Sequence, residues 1–300
     1  MGQVDLAHHD HPDRDEDGLR GASGWLPAIC QGSYVLDPVG HGDPGQVVGG
    51  PAYARSMKLA GADDPPKPMF ILVPGFWLGA WAWAKVAGPL RAAGHDVEAV
   101  TLPGLAERAA PRAGVTLADH VAAVAALVAQ RGPGVILVGH SGAGSVIYAV
   151  TDRLPDQVRR AVYVDSGPLP DGTAISPHLG PDVTEIPLPA WAELEAAGTS
   201  LVGLGRQRRA DFRRQAVPHP AGPARDRLRL TGTRRRDVPV TMITSSYRPA
   251  DVARLARQGH PYFAELTELP VSYIDLPTGH WPMLSRPAAL AAALLQTAAA

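Results

Sequence analysis

Apolar residues recur along this chain in two rhythms. Short unbroken runs, Met69-Phe-Ile-Leu-Val73, Val135-Ile-Leu-Val138 and Arg160-Ala-Val-Tyr-Val-Asp165, have the length and β-branched content of strands buried on both faces. Val97–Leu102, Val238–Thr244 and Val271–Leu276 read as further strands. Between them lie helical stretches. One covers Ala80–Ala93 and stops at Gly94, and another places Leu117, Val121, Val124 and Val128 on one face behind a capping-box variant, Thr116-Leu-Ala-Asp119. A third begins in Ser145–Val150, and the last runs from about Pro287 into an alanine-rich end. Strand and helix alternating in this way predict a mostly parallel sheet with helices on both faces.

Two segments break the rhythm. Residues 1 to about 66 are rich in Gly, Pro, Asp and His without either period, which predicts a disordered or extended tail, with 47–58 packing on the body and Pro65-Pro-Lys-Pro68 as a stiff spacer. Its run His8–Asp17 carries metal-binding side chains, but consecutive ligands on a solvated chain do not form a preorganised site, so no metal is expected. From about 168 to 237, prolines separate two short helical patches, Pro189–Ala197 and Arg206–Ala216, and arginines accumulate among Asp211, Asp226 and Asp237. This insertion is read as a small, solvated helical lid on a body spanning 67–300.

Composition narrows the partners. A 300-residue chain that is 45% hydrophobic can build a substantial core, and a net charge of -1 gives no reason to expect nucleic acid or an anionic membrane surface. The single cysteine, Cys30, excludes an internal disulfide framework. Met1–Asp10 lacks the basic flank and apolar core of a signal peptide, so a cytoplasmic location is expected.

The chemistry gathers around one serine. Gly139-His-Ser141-Gly-Ala143, with Gly144 beyond it, places Ser141 between a buried strand and a helix among residues with little or no side chain. Such a turn, a nucleophile elbow with Ala143 in place of the usual last glycine, forces the serine into a strained backbone conformation and aims helix N-terminal amides at any oxyanion formed there. Serine needs a base, and histidine titrates near neutrality. His280, in the loop Leu276–Met283 after the last strand, opens at the same sheet edge and is the candidate base. His140 should point away from the serine as structural support. His219 and His260 fall in lid or loop contexts and are not expected to act as bases.

From about residue 67 to 300 the chain resembles the α/β-hydrolase superfamily, with nucleophile, acid and histidine in that order. Leu72–Trp83 and Leu90–His95 resemble the branch that holds plant methylesterases and hydroxynitrile lyases, together with bacterial esterases of the same fold, although Pro74 stands where that branch usually has histidine. The resemblance implies an oxyanion hole made of the backbone amides of Phe76 and Gly142. It leaves the acid between two positions. Most relatives place it after the strand ending at Thr244, where the first carboxylate here is Asp251; a minority place it after the preceding strand, where Asp165 stands. Asp165 is the favoured reading. The reaction implied is hydrolysis of a carboxylic ester, lactone or thioester of a small molecule, with no cofactor and no metal. The alternatives are a hydroxynitrile-lyase-like reaction, for which the loops offer no evident pocket lysine, and a non-catalytic small-molecule receptor.

Overall fold

The computed structural model describes residues 67–299; the readings of residues 1–66, including 47–58, the His8–Asp17 run and Cys30, lie outside the described residues. Six strands form one parallel sheet: β1 (Phe70–Val73), β2 (Val97–Ala99), β3 (Val135–His140), β4 (Val158–Val164), β7 (Val240–Thr244) and β8 (Val271–Asp275). Their spatial order is β2-β1-β3-β4-β7-β8. β1, β3 and β7 are buried at every position, as unbroken apolar runs should be when both faces are covered, whereas the edge strands β2 and β8 are only partly buried.

The order reverses between β1 and β3. With right-handed crossovers, α1 (Ala84–Ala92) must then lie on one face and α2 (Leu117–Arg131) and α3 (Ala143–Arg153) on the other. The packing agrees: α1 lies beside α9 (Pro287–Ala299), and α2 beside α3. The loops leaving β1 and β3 therefore face each other across a topological switch point, where open α/β sheets bind ligands. α2 starts as its sequence predicts, with the Thr116 hydroxyl accepting from the Asp119 amide and the Asp119 carboxylate accepting from the Thr116 amide.

Between β4 and β7 the chain forms a cover of short elements: α4 (Trp191–Ala196), α5 (Arg206–Gln215), α6 (Ala221–Arg225), and a two-stranded antiparallel ribbon of β5 (Glu185–Ile186) and β6 (His219–Pro220). The arginines of this region divide. Those on α5 are exposed or partly exposed, but Arg235, read with the solvated clusters, is buried, with its guanidinium 3.1 Å from Asp152, 3.8 Å from Glu265 and over the Tyr148 ring. The acidic residues that compensate it come from α3 and from residues 264–268, distant in sequence, so local charge patterning gave no sign of its burial. A further helix, α7 (Pro249–Arg257), begins at a proline that the sequence analysis had not read as a helix start, and α8 (Pro282–Ser285) follows the His280 loop. No helix among the described residues is long and apolar enough to cross a membrane.

Candidate active site

Ser141 directly follows β3 and takes φ 51°, the left-handed conformation that a tight strand-to-helix turn demands. Its neighbours must be small. A Cβ on Gly75 would stand 2.8 Å from His140 Nδ1 and 2.9 Å from Ser141 Cβ, and one on Gly142 would enter the Phe76 ring. The turn is closed by Gly144 N–H and the Ser166 hydroxyl, which both donate to the Ser141 carbonyl at 3.0 and 2.5 Å.

Asp165 leaves the next strand at the same level. Pairing of β3 with β4 sets His140 opposite Val164, so Ser141 and Asp165 are the first residues past the ends of adjacent strands. Asp165 also has a positive φ, 43°, a conformation that aspartate tolerates better than most residues. His280, in the loop after β8, bridges the two: its Nε2 lies 2.8 Å from Ser141 Oγ and its Nδ1 2.7 Å from Asp165 Oδ2. Of the two candidate acids, Asp165 is the one in contact with the imidazole. Asp251 lies on α7 instead, paired with Arg248 at 2.9 Å and Arg254 at 3.5 Å. Asp275 is the exposed last residue of β8.

The turn after β7, where Ser245 and Ser246 stand, supports this acid. Ser245 N–H and Ser246 N–H donate to Asp165 Oδ1 at 3.0 and 2.9 Å, and the Ser246 hydroxyl donates to Oδ2. Burial works to raise the Asp165 carboxyl, but the bonds from His280 and Ser246 outweigh it and hold the group below its ordinary value. A charged Asp165 accepts a hydrogen bond from His280 Nδ1–H, which leaves Nε2 free to accept from Ser141. His140 supports the base: its Nε2–H donates to the His280 carbonyl at 2.7 Å, and the two ring centroids lie 4.9 Å apart. Burial, followed by the neighbouring His280, pushes the His140 imidazole down, so it stays neutral.

Phe76 follows β1 across the switch point, and its ring packs over Gly142, which caps α3. Gly142 stands at the N-terminus of α3, where backbone N–H groups lack intrahelical partners. Trp77, Trp81 and Trp83 divide in role. Trp83 is buried at the N-cap of α1, Trp77 Nε1–H donates to the Ile186 carbonyl of the ribbon, and Trp81 touches Phe212 of α5.

The cover closes over this site. Ser141, Asp165 and His280 are each no more than 6% exposed. Lid residues hold the histidine loop directly, with His280 N–H donating to Ser200 O at 2.8 Å and Gly279 N–H to Val202 O at 3.0 Å. Trp281 joins Trp191 of α4 and Phe212 of α5 in an aromatic cluster beside the imidazole. Sequence reasoning missed Trp281 and Ser246 as parts of the site. Trp281 adjoins the candidate base and was a readable signal, whereas a serine hydroxyl bonding to another strand's carboxylate leaves no trace in local sequence. Among the described residues both lysines are exposed, Lys67 donating to the Ala93 carbonyl, and no group of three metal-ligating side chains occurs.

A strand–turn–helix serine, a histidine after the last strand and an acid between them form an arrangement that comparison with known sequences can test. The profile of the alpha/beta hydrolase family matches residues 70–293. This chain belongs to that family. Among curated relatives, it is 41% identical over 99 residues to a carbendazim hydrolyzing esterase from Nocardioides sp. (strain SG-4G), covering 32% of this chain and 41% of that protein. It is 39% identical over 106 residues to esterase PIR7B from Oryza sativa subsp. japonica, covering 33% and 38% respectively. The matched stretches thus span only about two fifths of these relatives' own lengths. Of solved structures, an extracellular alpha/beta-hydrolase from a Paenibacillus species superposes with a TM-score of 0.60 at 22% identity, over 76% of this chain and 98% of that one. The methylesterase MES16 from Arabidopsis superposes with a TM-score of 0.58 at 20% identity, over 77% and 99%. These two likenesses bear on the fold.

Proposed function

We propose that this hydrolase-family protein is a serine esterase that cleaves a carboxylic ester of a small molecule through an acyl-enzyme. Ser141 Oγ attacks the ester carbonyl while His280 Nε2 takes its proton. The carbonyl oxygen becomes an oxyanion held by the amides of Phe76 and Gly142, and Asp165 stabilises the imidazolium through Nδ1–H. His280 then protonates the departing alkoxide. In the second half, water gives its proton to His280 and attacks the acyl group; His280 returns that proton to Ser141 Oγ as the acyl group leaves as a free carboxylic acid.

The observation that supports this reading above the others is the unbroken chain Ser141 Oγ–His280 Nε2–His280 Nδ1–Asp165 Oδ2, with contacts of 2.8 and 2.7 Å in a closed site. Relatives named as esterases and methylesterases favour the same chemistry. A cyanohydrin-cleaving lyase gains no support, because such enzymes hold the leaving cyanide with a charged pocket side chain and both described lysines are exposed. A receptor has no need of a hydrogen-bonded nucleophile, base and acid. Hydrolysis of p-nitrophenyl acetate and butyrate by the purified chain, alongside mandelonitrile as a lyase substrate, tests the proposal. Release of p-nitrophenol that depends on Ser141 is expected, and cyanohydrin cleavage without ester turnover would overturn it.

A further inference from the structure

His219 carries an anomaly. It lies in β6, 2% exposed, and neither ring nitrogen has a hydrogen-bond partner among the described residues. Burial holds its imidazole well below the ordinary value, so the ring is neutral at physiological pH. No described protein group bonds either nitrogen, so hydrogen bonding within the protein does not account for the placement of this ring. What the fold uses is its face. The ring stacks on Phe76 with centroids 3.8 Å apart and planes 13° from parallel, and its other neighbour, His120, meets it edge-on at 5.6 Å.

Phe76 needs such support. A cavity of about 10 Å³, close to the volume of one water molecule, borders Phe76, Gly142, Ser145 and His219. The ring of Phe76 is therefore not packed on every side. The loop also carries strain, since Trp77 has φ 66° and a bulky residue in that region persists only where surrounding contacts impose it. The same ribbon supplies those contacts. Trp77 Nε1–H donates to Ile186 O at 3.0 Å, Val217 N–H donates to Trp77 O at 3.0 Å, and Ile186 pairs with His219 across the ribbon. Arg112 fixes the ribbon from below, reaching Glu185 at 2.9 Å and the Pro218 carbonyl at 2.8 Å.

We propose that His219 is a positioning residue for the oxyanion loop: its ring face, with the β5–β6 ribbon behind it, sets the place of the Phe76 amide. The lid is then part of the catalytic geometry as well as its cover. This inference rests on the esterase reading, because it concerns a donor to the oxyanion.

The test compares three variants of the full chain with p-nitrophenyl butyrate: His219→Ala, which removes the ring; His219→Phe, which keeps a flat ring without nitrogens; and Trp77→Phe, which removes the Ile186 bond. Losing a whole oxyanion donor lowers kcat by roughly 10²–10³, so a displaced one should lower it by about tenfold. His219→Ala and Trp77→Phe should each do so with KM within about twofold of wild type, since ground-state binding is untouched. The midpoint of the ascending pH limb should not move, because the Ser141–His280–Asp165 chain is intact. His219→Phe should recover most of the lost kcat. A folded His219→Ala with kcat within twofold of wild type overturns the inference while leaving the esterase reading intact, as does a His219→Phe that falls as far as alanine. If His219→Ala does not fold, an unchanged kcat in Trp77→Phe overturns it. A wild type without ester turnover overturns both.

Discussion

Asp165 accepts from two amides, a hydroxyl and an imidazole, so its charge is compensated before any substrate arrives. That makes its identity as an acid testable residue by residue. Asp165→Asn keeps the shape but can offer its NH₂ to Nδ1 and favour the wrong tautomer, an exchange that lowered kcat by about 10⁴ in a serine protease. Steady-state assays near pH 7 should show a loss of several orders of magnitude. Asp251→Asn, which disturbs only pairs with Arg248 and Arg254, should stay near wild type. Equal losses from the two variants would contradict the account. Ser246→Ala removes one hydrogen bond to the carboxylate, of a kind worth about 1.5–3 kcal/mol, and should reduce kcat by roughly tenfold or more with little change in KM. Ser141 and His280 were legible because each sits in a local motif whose meaning survives without the fold. The choice between Asp165 and Asp251 was legible only as a preference for Asp165, since it depends on which strand end reaches the imidazole, and strand register is not written in local sequence.

At the level of elements, the long periodic pieces were readable and the short ones were not. α2 begins at its predicted cap, and the buried runs became β1, β3 and β4 with small shifts at their ends. β5 and β6 have two residues each, too few for any period, and they are tied to the body by bonds from Trp77 and Arg112, which lie far away in sequence. Arg235 illustrates the same limit for charge. Its partners lie on α3 and near β8, so removing it leaves the buried Asp152 and the partly buried Glu265, both far away in sequence, without their cation. Breaking a buried pair costs about 3–5 kcal/mol, so Arg235→Ala should lower the urea midpoint strongly while kcat of the folded fraction stays near wild type. A variant as stable as the parent would show that water or rearrangement compensates Asp152 and Glu265.

Taken as a whole, the molecule keeps several imidazoles out of water. Burial lowers His120, His140 and His219 below their ordinary value of 6.5. As pH falls through that value the unfolded chain binds protons that the native state does not, so stability decreases toward acid, by up to about 1.4 kcal/mol per pH unit for each group. The depressed carboxyl of Asp165 adds a second loss below its ordinary 3.8, as pH falls toward its folded value. Urea unfolding at pH 8, 7, 6 and 5 should show stability falling between pH 7 and 5, with a smaller slope in His219→Phe. A flat profile would mean that these rings are protonated or solvated in the native state.

All of the proposed chemistry converges on the carboxyl edge of one parallel sheet, and the central claim is that Ser141 there becomes acylated. The most direct measurement mixes the full chain with p-nitrophenyl butyrate, quenches it in acid within milliseconds, and maps the adduct by peptide mass spectrometry. The account predicts a butyryl group on Ser141 that accumulates with a burst of p-nitrophenol and is absent from Ser141→Ala, which should also lose kcat by about 10⁶-fold. An adduct on another residue, or turnover that survives in Ser141→Ala, would contradict it.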